Sequence, residues 1–194
     1  MRRIGVFGGT FDPPHLGHLA TALEVRHSLD LDTVLLVVAG DPWQKTAQAD
    51  ITPAETRLAM TRAAVDGIEG LEVSAIEIER HGPSYSAETL EALRELHQAA
   101  WFLIVGSDAA AGLDTWHRPD DVARLATTVV VDRGGREGGR PPAGWPHEVV
   151  DVPALEISSS DIRYRVAAGR PIRGLVPGVI ADRIEMQGLY RRPR

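Results

Sequence analysis

Short apolar segments alternate with helical patterns from one end of this chain to the other. Parallel strands buried on both faces are apolar without alternation, and a helix usually connects one to the next. The alternation therefore predicts an α/β fold: a doubly wound, Rossmann-like parallel sheet with helices on both faces. The predicted strands are 3–7, 34–38, 71–78, 101–105, 128–132 and 148–152, and the predicted helices are 16–29, 53–65, 86–97, 119–125, 159–168 and 179–187.

Two local patterns refine this prediction. In Thr52-Pro53-Ala54-Glu55 we expect Thr52 to be the N-cap of a helix, Pro53 its first residue and Glu55 the partner in a capping box. The segment 133–147 is rich in Gly, Pro and Arg and has no periodicity, so it is expected to be a long, mobile surface loop. Since 194 residues suit one core and no repeat is present, residues 1–194 are predicted to form a single domain.

Composition excludes several classes of protein. The absence of cysteine rules out disulfides, thiolate zinc sites and a cysteine nucleophile. A net charge of -6 opposes general nucleic-acid binding, which favours a basic surface. No apolar run approaches the roughly 20 residues of a membrane span, and Met1 leads straight into a strand without a signal-peptide pattern. We therefore expect a cytoplasmic protein that binds neither nucleic acid nor membrane.

The loop after the first strand carries the densest chemistry. It reads Gly8-Gly9-Thr10-Phe11-Asp12-Pro13-Pro14-His15-Leu16-Gly17-His18. In a doubly wound sheet a glycine-rich first loop lets the backbone approach phosphate groups. The loop lacks the G-x-G-x-x-G dinucleotide fingerprint, and the chain has no G-x-x-x-x-G-K-[ST] phosphate loop. Hydride transfer of the Rossmann type and P-loop chemistry are therefore disfavoured.

His15 and His18 stand three residues apart at a predicted helix start, so they share one face. Gly17 leaves room between them for a ligand. Two imidazoles, the helix dipole and unpaired backbone N–H groups together favour an oxyanion or phosphate site. Either histidine alone would more simply be a local packing or capping residue. A zinc site is a poor alternative because no third ligand is evident.

Four segments together resemble the HxGH nucleotidyltransferases, and specifically the nicotinate-nucleotide adenylyltransferases. Besides the first loop they are Pro83-Ser84-Tyr85-Ser86-Ala87-Glu88-Thr89-Leu90, Gly106-Ser107-Asp108 with Trp116 downstream, and Ile157-Ser158-Ser159-Ser160-Asp161-Ile162-Arg163. The tail from Val176-Pro177 to Leu189-Tyr190 is also similar, so the resemblance covers nearly the whole chain except the 133–147 loop. Ser86, Glu88, Ser160 and Ala181 depart mildly from the family pattern, and none of them removes a candidate catalytic group.

The resemblance implies transfer of the adenylyl group of ATP to nicotinate mononucleotide, which gives nicotinate adenine dinucleotide and pyrophosphate in NAD biosynthesis. His15, His18 and Arg163 would be catalytic. ATP would be bound by these three residues and by Gly8, Gly9, Thr10, Phe11, Gly106, Asp108, Ser159 and Ser160. Nicotinate mononucleotide would be bound by Asp12, Lys45, Tyr85, Ser86, Asp108, Trp116, His117 and Arg133. Mg²⁺ would be carried by the ATP phosphates rather than by a protein metal site.

Simpler interpretations stay open for individual residues. Ser159 with Arg163 could be an ordinary helix cap beside a solvated arginine, Trp116 a core residue and Asp108 a helix cap. Lys45, the only lysine among 21 basic residues, could simply be solvated. For the whole chain, the alternatives are a sister transferase using nicotinamide mononucleotide or another phosphorylated acceptor, and a catalytically silent nucleotide sensor. Whether the protein is a homo-oligomer is not indicated by the sequence.

Overall fold

The computed structural model describes residues 1–42, 51–135 and 137–191. Its strands form one all-parallel six-stranded sheet in the order β3-β2-β1-β4-β5-β6. This order, in which the chain moves outward from β1 first to one side and then to the other, is that of a doubly wound fold and confirms the predicted class. The strands are β1 (Arg2–Gly9), β2 (Thr33–Val38), β3 (Leu71–Ser74), β4 (Ala99–Gly106), β5 (Thr127–Arg133) and β6 (His147–Val152).

Helices cover both faces of the sheet. They are α1 (Leu16–Ser28), α2 (Ala54–Val65), α3 (Ile76–Arg80), α4 (Ser86–Leu96), α5 (Ser107–Ala110), α6 (Pro119–Leu125), α7 (Ser159–Ala167) and α8 (Gly178–Gln187), with a 3-10 turn at Leu113–Thr115. In β4, Phe102 and Ile104 pack with α1 and α2 on one face, whereas Leu103 and Val105 pack with α4 and α6 on the other. This alternation explains why the central strands are apolar throughout.

The predicted strand 71–78 is wrong in its second half. β3 ends at Ser74, and Ile76 begins the short helix α3. The Ser74 hydroxyl accepts the N–H of Ile76 at 3.3 Å, a local bond that turns the chain out of the sheet. In the sequence, the apolar residues Ile76 and Ile78 extend the apolar pattern of the strand. In the structure they belong to helix α3, and from there their side chains pack against the core.

The predicted capping box at Thr52 is also wrong. Pro53 is the N-cap of α2, and no side chain caps this helix. Thr52 is buried and uses its backbone instead: its N–H donates to the Asp12 carboxylate at 3.2 Å, and its carbonyl accepts from Arg57 at 2.8 Å. Thr52 is therefore held through its backbone by Asp12 and Arg57, and its side chain does not cap the helix.

The loop between β5 and β6 is packed in its described part, although its composition predicted mobility. Arg140 binds both carboxylate oxygens of the buried Asp132, at 3.0 and 2.6 Å. A Cβ on Gly138 would stand 2.2 Å from the Ser107 hydroxyl, and one on Gly139 would stand 2.6 Å from Ala111 Cβ. Glycine is therefore needed here for close approach to α5 rather than for freedom of the backbone.

A smaller apolar cluster joins the end of the chain to α2. Met60 and Ala64 of α2 pack against Ile162 of α7 and against Ile180 and Ile184 of α8. This contact holds α7 beside the first loop of the sheet. No helix in the described parts of the chain is long and apolar enough to cross a membrane.

Candidate active site

The candidate site lies where the chain reverses its direction of winding. β1 pairs with β2 on one side and with β4 on the other, and a crevice opens at the carboxyl ends of the strands at such a switch point. A cavity of about 270 Å³ occupies this position. Its described lining includes eight residues predicted from the sequence: Gly8, Gly9, Thr10, Tyr85, Ser86, Gly106, Trp116 and His117. Segments separated by about 100 residues thus meet at one cavity.

The two histidines of the first loop stack on each other at the start of α1. The ring centroids of His15 and His18 are 3.6 Å apart with an interplanar angle of 22°. The backbone N–H of His15, the N-cap, donates to Nδ1 of His18 at 3.2 Å. A Cβ on Gly17 would stand 3.1 Å from Nδ1 of His15, so glycine leaves room for this ring. The predicted juxtaposition of the two imidazoles is therefore present.

His15 is neutral at neutral pH in the free protein. The residue is only 6% exposed. Burial, and secondarily the positive charge of Arg133, lower the pKa of His15 from 6.5 to about 4. Nδ1 of His15 is buried and has no hydrogen-bond partner among the described residues. A buried polar atom without a partner is costly, so a hydrogen bond between this nitrogen and a ligand would relieve that cost.

The start of α1 offers fewer free donors than the sequence suggested. The N–H of Leu16 donates to the carbonyl of Leu175 at 3.0 Å, and the N–H of His18 donates to the carbonyl of His15 at 2.9 Å. The segment before α8 therefore uses one of the helix-end N–H donors that the sequence predicts for phosphate binding.

Phe11 lies under the first loop rather than beside the cavity. It is 2% exposed, adopts φ 49°, and its ring lies 4.9 Å from that of His18 in an edge-to-face arrangement. A Cβ on Gly9 would stand 2.9 Å from the Phe11 ring. Gly9 thus permits the close packing that supports His18 from below.

The start of α7 is bound to the same loop. Ser159 donates its hydroxyl to the Pro13 carbonyl at 2.9 Å, and Arg163 donates to the Asp12 carbonyl at 2.8 Å and to the Ser160 hydroxyl at 3.3 Å. The residue that caps α7 is Ser158, whose hydroxyl accepts the N–H of Asp161 at 3.0 Å. Arg163 is therefore held against the first loop and is not a freely solvated side chain.

The opposite wall of the cavity is aromatic. Tyr85 is the N-cap of α4, and its ring stacks on His117 with centroids 4.2 Å apart. Trp116 lines the cavity and also packs against the core on the α4 and α6 face. Trp116 is thus both a packing residue and a wall of the site. Ser86, the first residue of α4, also lines the cavity, so the start of that helix lies at this wall.

Four other predicted residues have different settings. Asp108 is exposed in the first turn of α5, and Arg133 is exposed at the end of β5, where its charge acts on His15. Asp12 is 3% exposed, and its carboxylate is bonded to Thr52 and Tyr190 rather than directed into the cavity. Lys45 lies outside the described residues.

Sequence reasoning missed two residues that organise this site. Arg57 is 1% exposed and donates to the backbone carbonyls of Thr10, Gly40 and Thr52. Tyr190 donates its hydroxyl to Asp12 at 2.5 Å. One signal was present for Arg57: it stands four residues before the buried Thr61 on α2, hence on its inward face. No local pattern pairs Tyr190 with Asp12.

The sequence is similar to proteins of known name along almost its full length. A "Probable nicotinate-nucleotide adenylyltransferase" of Saccharopolyspora erythraea is 44% identical over 193 residues, which covers 98% of this chain and 90% of that protein. One with the same name from Roseiflexus sp. is 45% identical over 196 residues, covering 97% of this chain and 98% of the relative. Identity at this level over the whole length indicates common descent.

Solved structures share the fold. Plasmodium falciparum nicotinic acid mononucleotide adenylyltransferase complexed with NaAD superposes with a TM-score of 0.81 at 17% identity, covering 98% of each chain. A putative nicotinate-nucleotide adenylyltransferase from Vibrio parahaemolyticus gives 0.73 at 19% identity, covering 100% of this chain and 98% of the other. At these identities the likeness concerns the architecture alone.

A family profile agrees with these relatives. The profile described as cytidylyltransferase-like matches residues 6–165, from β1 into α7, and so includes the first loop, the aromatic wall and Arg163. The chain therefore belongs to the cytidylyltransferase-like family and, within it, to the nicotinate-nucleotide adenylyltransferases.

Proposed function

We propose that this protein transfers the adenylyl group of ATP to nicotinate mononucleotide, releasing pyrophosphate and forming nicotinate adenine dinucleotide for NAD biosynthesis. The observation that carries the proposal is that one loop holds both the stacked pair His15 and His18 and the residues Gly8 to Thr10, which line a cavity whose other wall is aromatic. The curated relatives named above, 44 and 45% identical, support the same reaction. When the phosphate of the mononucleotide attacks the α-phosphorus of ATP, positioned hydrogen-bond donors contribute more to the rate than a general base does.

The reaction has one substitution step. A phosphate oxygen of nicotinate mononucleotide attacks the α-phosphorus of ATP, the bond from that phosphorus to the bridging oxygen breaks, and pyrophosphate leaves with the electron pair. His15 and His18 would donate hydrogen bonds to the α- and β-phosphates as charge develops there. Because the pKa of His15 is lowered to about 4, its contribution begins as that of a neutral donor.

Other residues would hold the rest of ATP. The backbone of Gly8, Gly9 and Thr10 faces the cavity, so it can approach the nucleotide closely. Arg163, already oriented by the Asp12 carbonyl and by Ser160, would contact the leaving phosphates together with the start of α7. Phe11, Ser159, Gly106 and Asp108 complete the predicted ATP site; of these, Phe11 supports His18 and Ser159 fixes α7 to the loop.

The aromatic wall would take the pyridine ring and its carboxylate. Trp116 would stack on the ring, and the backbone N–H groups of Ser86 and His117 would donate to the carboxylate. The stack between Tyr85 and His117 supports this assignment because it brings the start of α4 next to His117. Arg133 would meet the mononucleotide phosphate. Lys45 and Asp12 stay predictions as ligand contacts.

A divalent cation, Mg²⁺ in our proposal, would enter the site on the phosphates. Within the described residues, His, Asp and Glu side chains do not gather in groups of three or more that could hold a metal ion. A site whose ligands are mainly phosphate oxygens and water is usual for Mg²⁺ and fits this set of donors. The ion would neutralise phosphate charge, while positioning would come from the protein.

A single domain, a cytoplasmic location and the absence of nucleic-acid partners also remain predictions from the sequence.

The direct test is pyrophosphate release from ATP and magnesium, with nicotinate mononucleotide or nicotinamide mononucleotide supplied in parallel. His18→Ala is the active-site variant, and His27→Ala, which removes an exposed histidine from the same helix, is the matched control. We expect release with the acid acceptor, much weaker release with the amide, loss in His18→Ala and parental rates in His27→Ala.

Other outcomes have definite meanings. Equal rates with acid and amide would remove the assignment of the Ser86 and His117 backbone to carboxylate recognition. Release with neither acceptor, while ATP still binds, would favour a nucleotide sensor. Full activity in His18→Ala would contradict the mechanism even if the overall reaction were confirmed.

A further inference from the structure

Arg57 is a fully buried arginine whose guanidinium, in the described parts of the chain, donates to backbone carbonyls. It is 1% exposed, and its guanidinium donates to Thr52 at 2.8 Å, to Thr10 at 2.8 Å and to Gly40 at 3.4 Å. Burying a charged group is costly unless its hydrogen bonds are satisfied. The packing of α2 alone does not explain why a charged guanidinium is buried at this position.

The three carbonyls come from different parts of the site. Thr10 belongs to the first loop and lines the cavity. Gly40 follows β2, and Thr52 precedes α2. One planar group therefore fixes the first loop relative to the chain that leaves β2 and to the chain that enters α2. Only a fork of fixed geometry with several donors can do this.

Asp12 extends this arrangement to Arg163. Its buried carboxylate accepts the N–H of Thr52 at 3.2 Å and the hydroxyl of Tyr190 at 2.5 Å, and its charge acts favourably on Arg57. Its carbonyl accepts from Arg163 at 2.8 Å. Thr52 is therefore the point where the contacts of Arg57 and those of Asp12 meet.

We propose that Arg57 is a positioning residue for adenylyl transfer, which sets the place of the first loop and, through Thr52 and Asp12, of Arg163. This inference rests on the proposed function, because it assigns the loop to the ATP phosphates. Arg57 itself does not touch the reacting atoms. A shift of the loop of about 1 Å can lower the rate of a positioned reaction roughly 100-fold, which is why the site keeps this charge buried.

The experiment compares Arg57→Lys with Arg62→Lys, an exposed arginine on the same helix. Lysine keeps the charge, but its single ammonium cannot reproduce the fork. Both variants are assayed for pyrophosphate release at a temperature where circular dichroism shows them fully folded. We expect kcat/KM for ATP to fall about 10- to 100-fold in Arg57→Lys, with KM for nicotinate mononucleotide changed less than twofold, and parental values in Arg62→Lys.

A second variant covers failure of the first to fold. Arg57→Gln removes the charge and keeps an amide donor, and it is assayed in the same way with the same expected loss. Parental kcat and KM per folded molecule in either variant would overturn the proposal, because they would leave Arg57 with a role in stability alone. If neither variant folds at any temperature tested, the positioning role is likewise rejected.

ATP binding by the parent, measured by calorimetry, separates this inference from the proposed function. A parent that binds ATP but does not release pyrophosphate with nicotinate mononucleotide contradicts the proposed function. A parent that is fully active, together with Arg57 variants that match Arg62→Lys, contradicts only the positioning role.

Discussion

The imidazole rings of His15 and His18 lie 3.6 Å apart and nearly parallel, and His15 is the more deeply buried of the two. A stacked pair of this kind tolerates charge on one ring more easily when an anion lies beside it. In the free protein the buried ring stays neutral. The buried ring of the pair therefore carries no permanent positive charge at neutral pH.

The first prediction concerns pH. The pKa of His15 is lowered from 6.5 to about 4 in the folded protein. Between pH 6.5 and pH 4, His15 is therefore protonated in the unfolded chain but neutral in the folded one. Stability due to this group is therefore present above pH 6.5 and lost as the pH falls toward 4. From pH 7 to pH 5 the parent should lose about 2 kcal/mol more unfolding free energy than His15→Gln. Urea unfolding at both pH values measures this.

His27→Gln is the control for that experiment, since His27 is an exposed histidine on the same helix. It should follow the parent at both pH values. A parent and a His15→Gln variant with the same pH dependence would show that His15 does not titrate as its burial requires.

The second prediction concerns Gly17→Ala. Alanine normally stabilises a helix relative to glycine, but here its Cβ would stand 3.1 and 3.2 Å from Nδ1 and Cε1 of His15. The ring must therefore move by a few tenths of an ångström. We expect kcat to fall about tenfold with little change in thermal stability, as measured by pyrophosphate release and by calorimetry.

Gly178→Ala is the matched control, because a Cβ on this first residue of α8 meets nothing within 4 Å in the described structure. It should leave kcat unchanged. An unchanged kcat in Gly17→Ala as well would mean that the position of His15 does not limit the reaction.

The third prediction concerns Tyr190→Phe. The substitution removes the hydroxyl that donates to Asp12 at 2.5 Å and leaves a buried carboxylate oxygen short of one partner. We expect a loss of about 1–3 kcal/mol in unfolding free energy, measured by urea denaturation. Tyr164→Phe, at a tyrosine that is 55% exposed, should cost much less. Equal costs for the two tyrosines would contradict the role of this hydrogen bond.

The fourth prediction concerns the loop between β5 and β6. Arg140→Gln removes the pair with Asp132, whose pKa Arg140 holds below its usual value. The amide of Gly138, which donates to Asp132 at 3.2 Å, should then exchange with solvent faster. Hydrogen exchange of the peptide 137–146 measures this. Arg124→Gln, which breaks an exposed pair on α6, should leave that exchange rate unchanged.

The sheet could be predicted because its central strands are buried on both faces, as β4 illustrates with core residues on each side. The error at 71–78 has a physical cause. Ile76 and Ile78 are apolar whether the segment is a strand or a helix, and the structure has a helix here, preceded by the bond from the Ile76 N–H to the Ser74 hydroxyl. Periodicity over three or four residues cannot separate these two outcomes.

The candidate site could be predicted in part. The first loop and the segment around Tyr85 and Ser86 were found from their motifs, and both line the cavity. Arg57 and Tyr190 were missed because they bind Thr10 and Asp12 across 47 and 178 positions. Short sequence patterns can predict functional groups at helix starts and turns. They cannot predict contacts between residues so far apart in the sequence.

The hydrogen bond between Asp12 and Tyr190 also has a consequence for synthesis of the chain. The two residues are 178 positions apart, so at about 5–20 residues per second Asp12 is made roughly 9 to 36 s before its partner exists. During that interval the growing chain can form β1 and its neighbours, but the carboxylate that belongs beneath the first loop has no tyrosine to meet. The contact between the first loop and Tyr190 can therefore form only after residue 190 has been made.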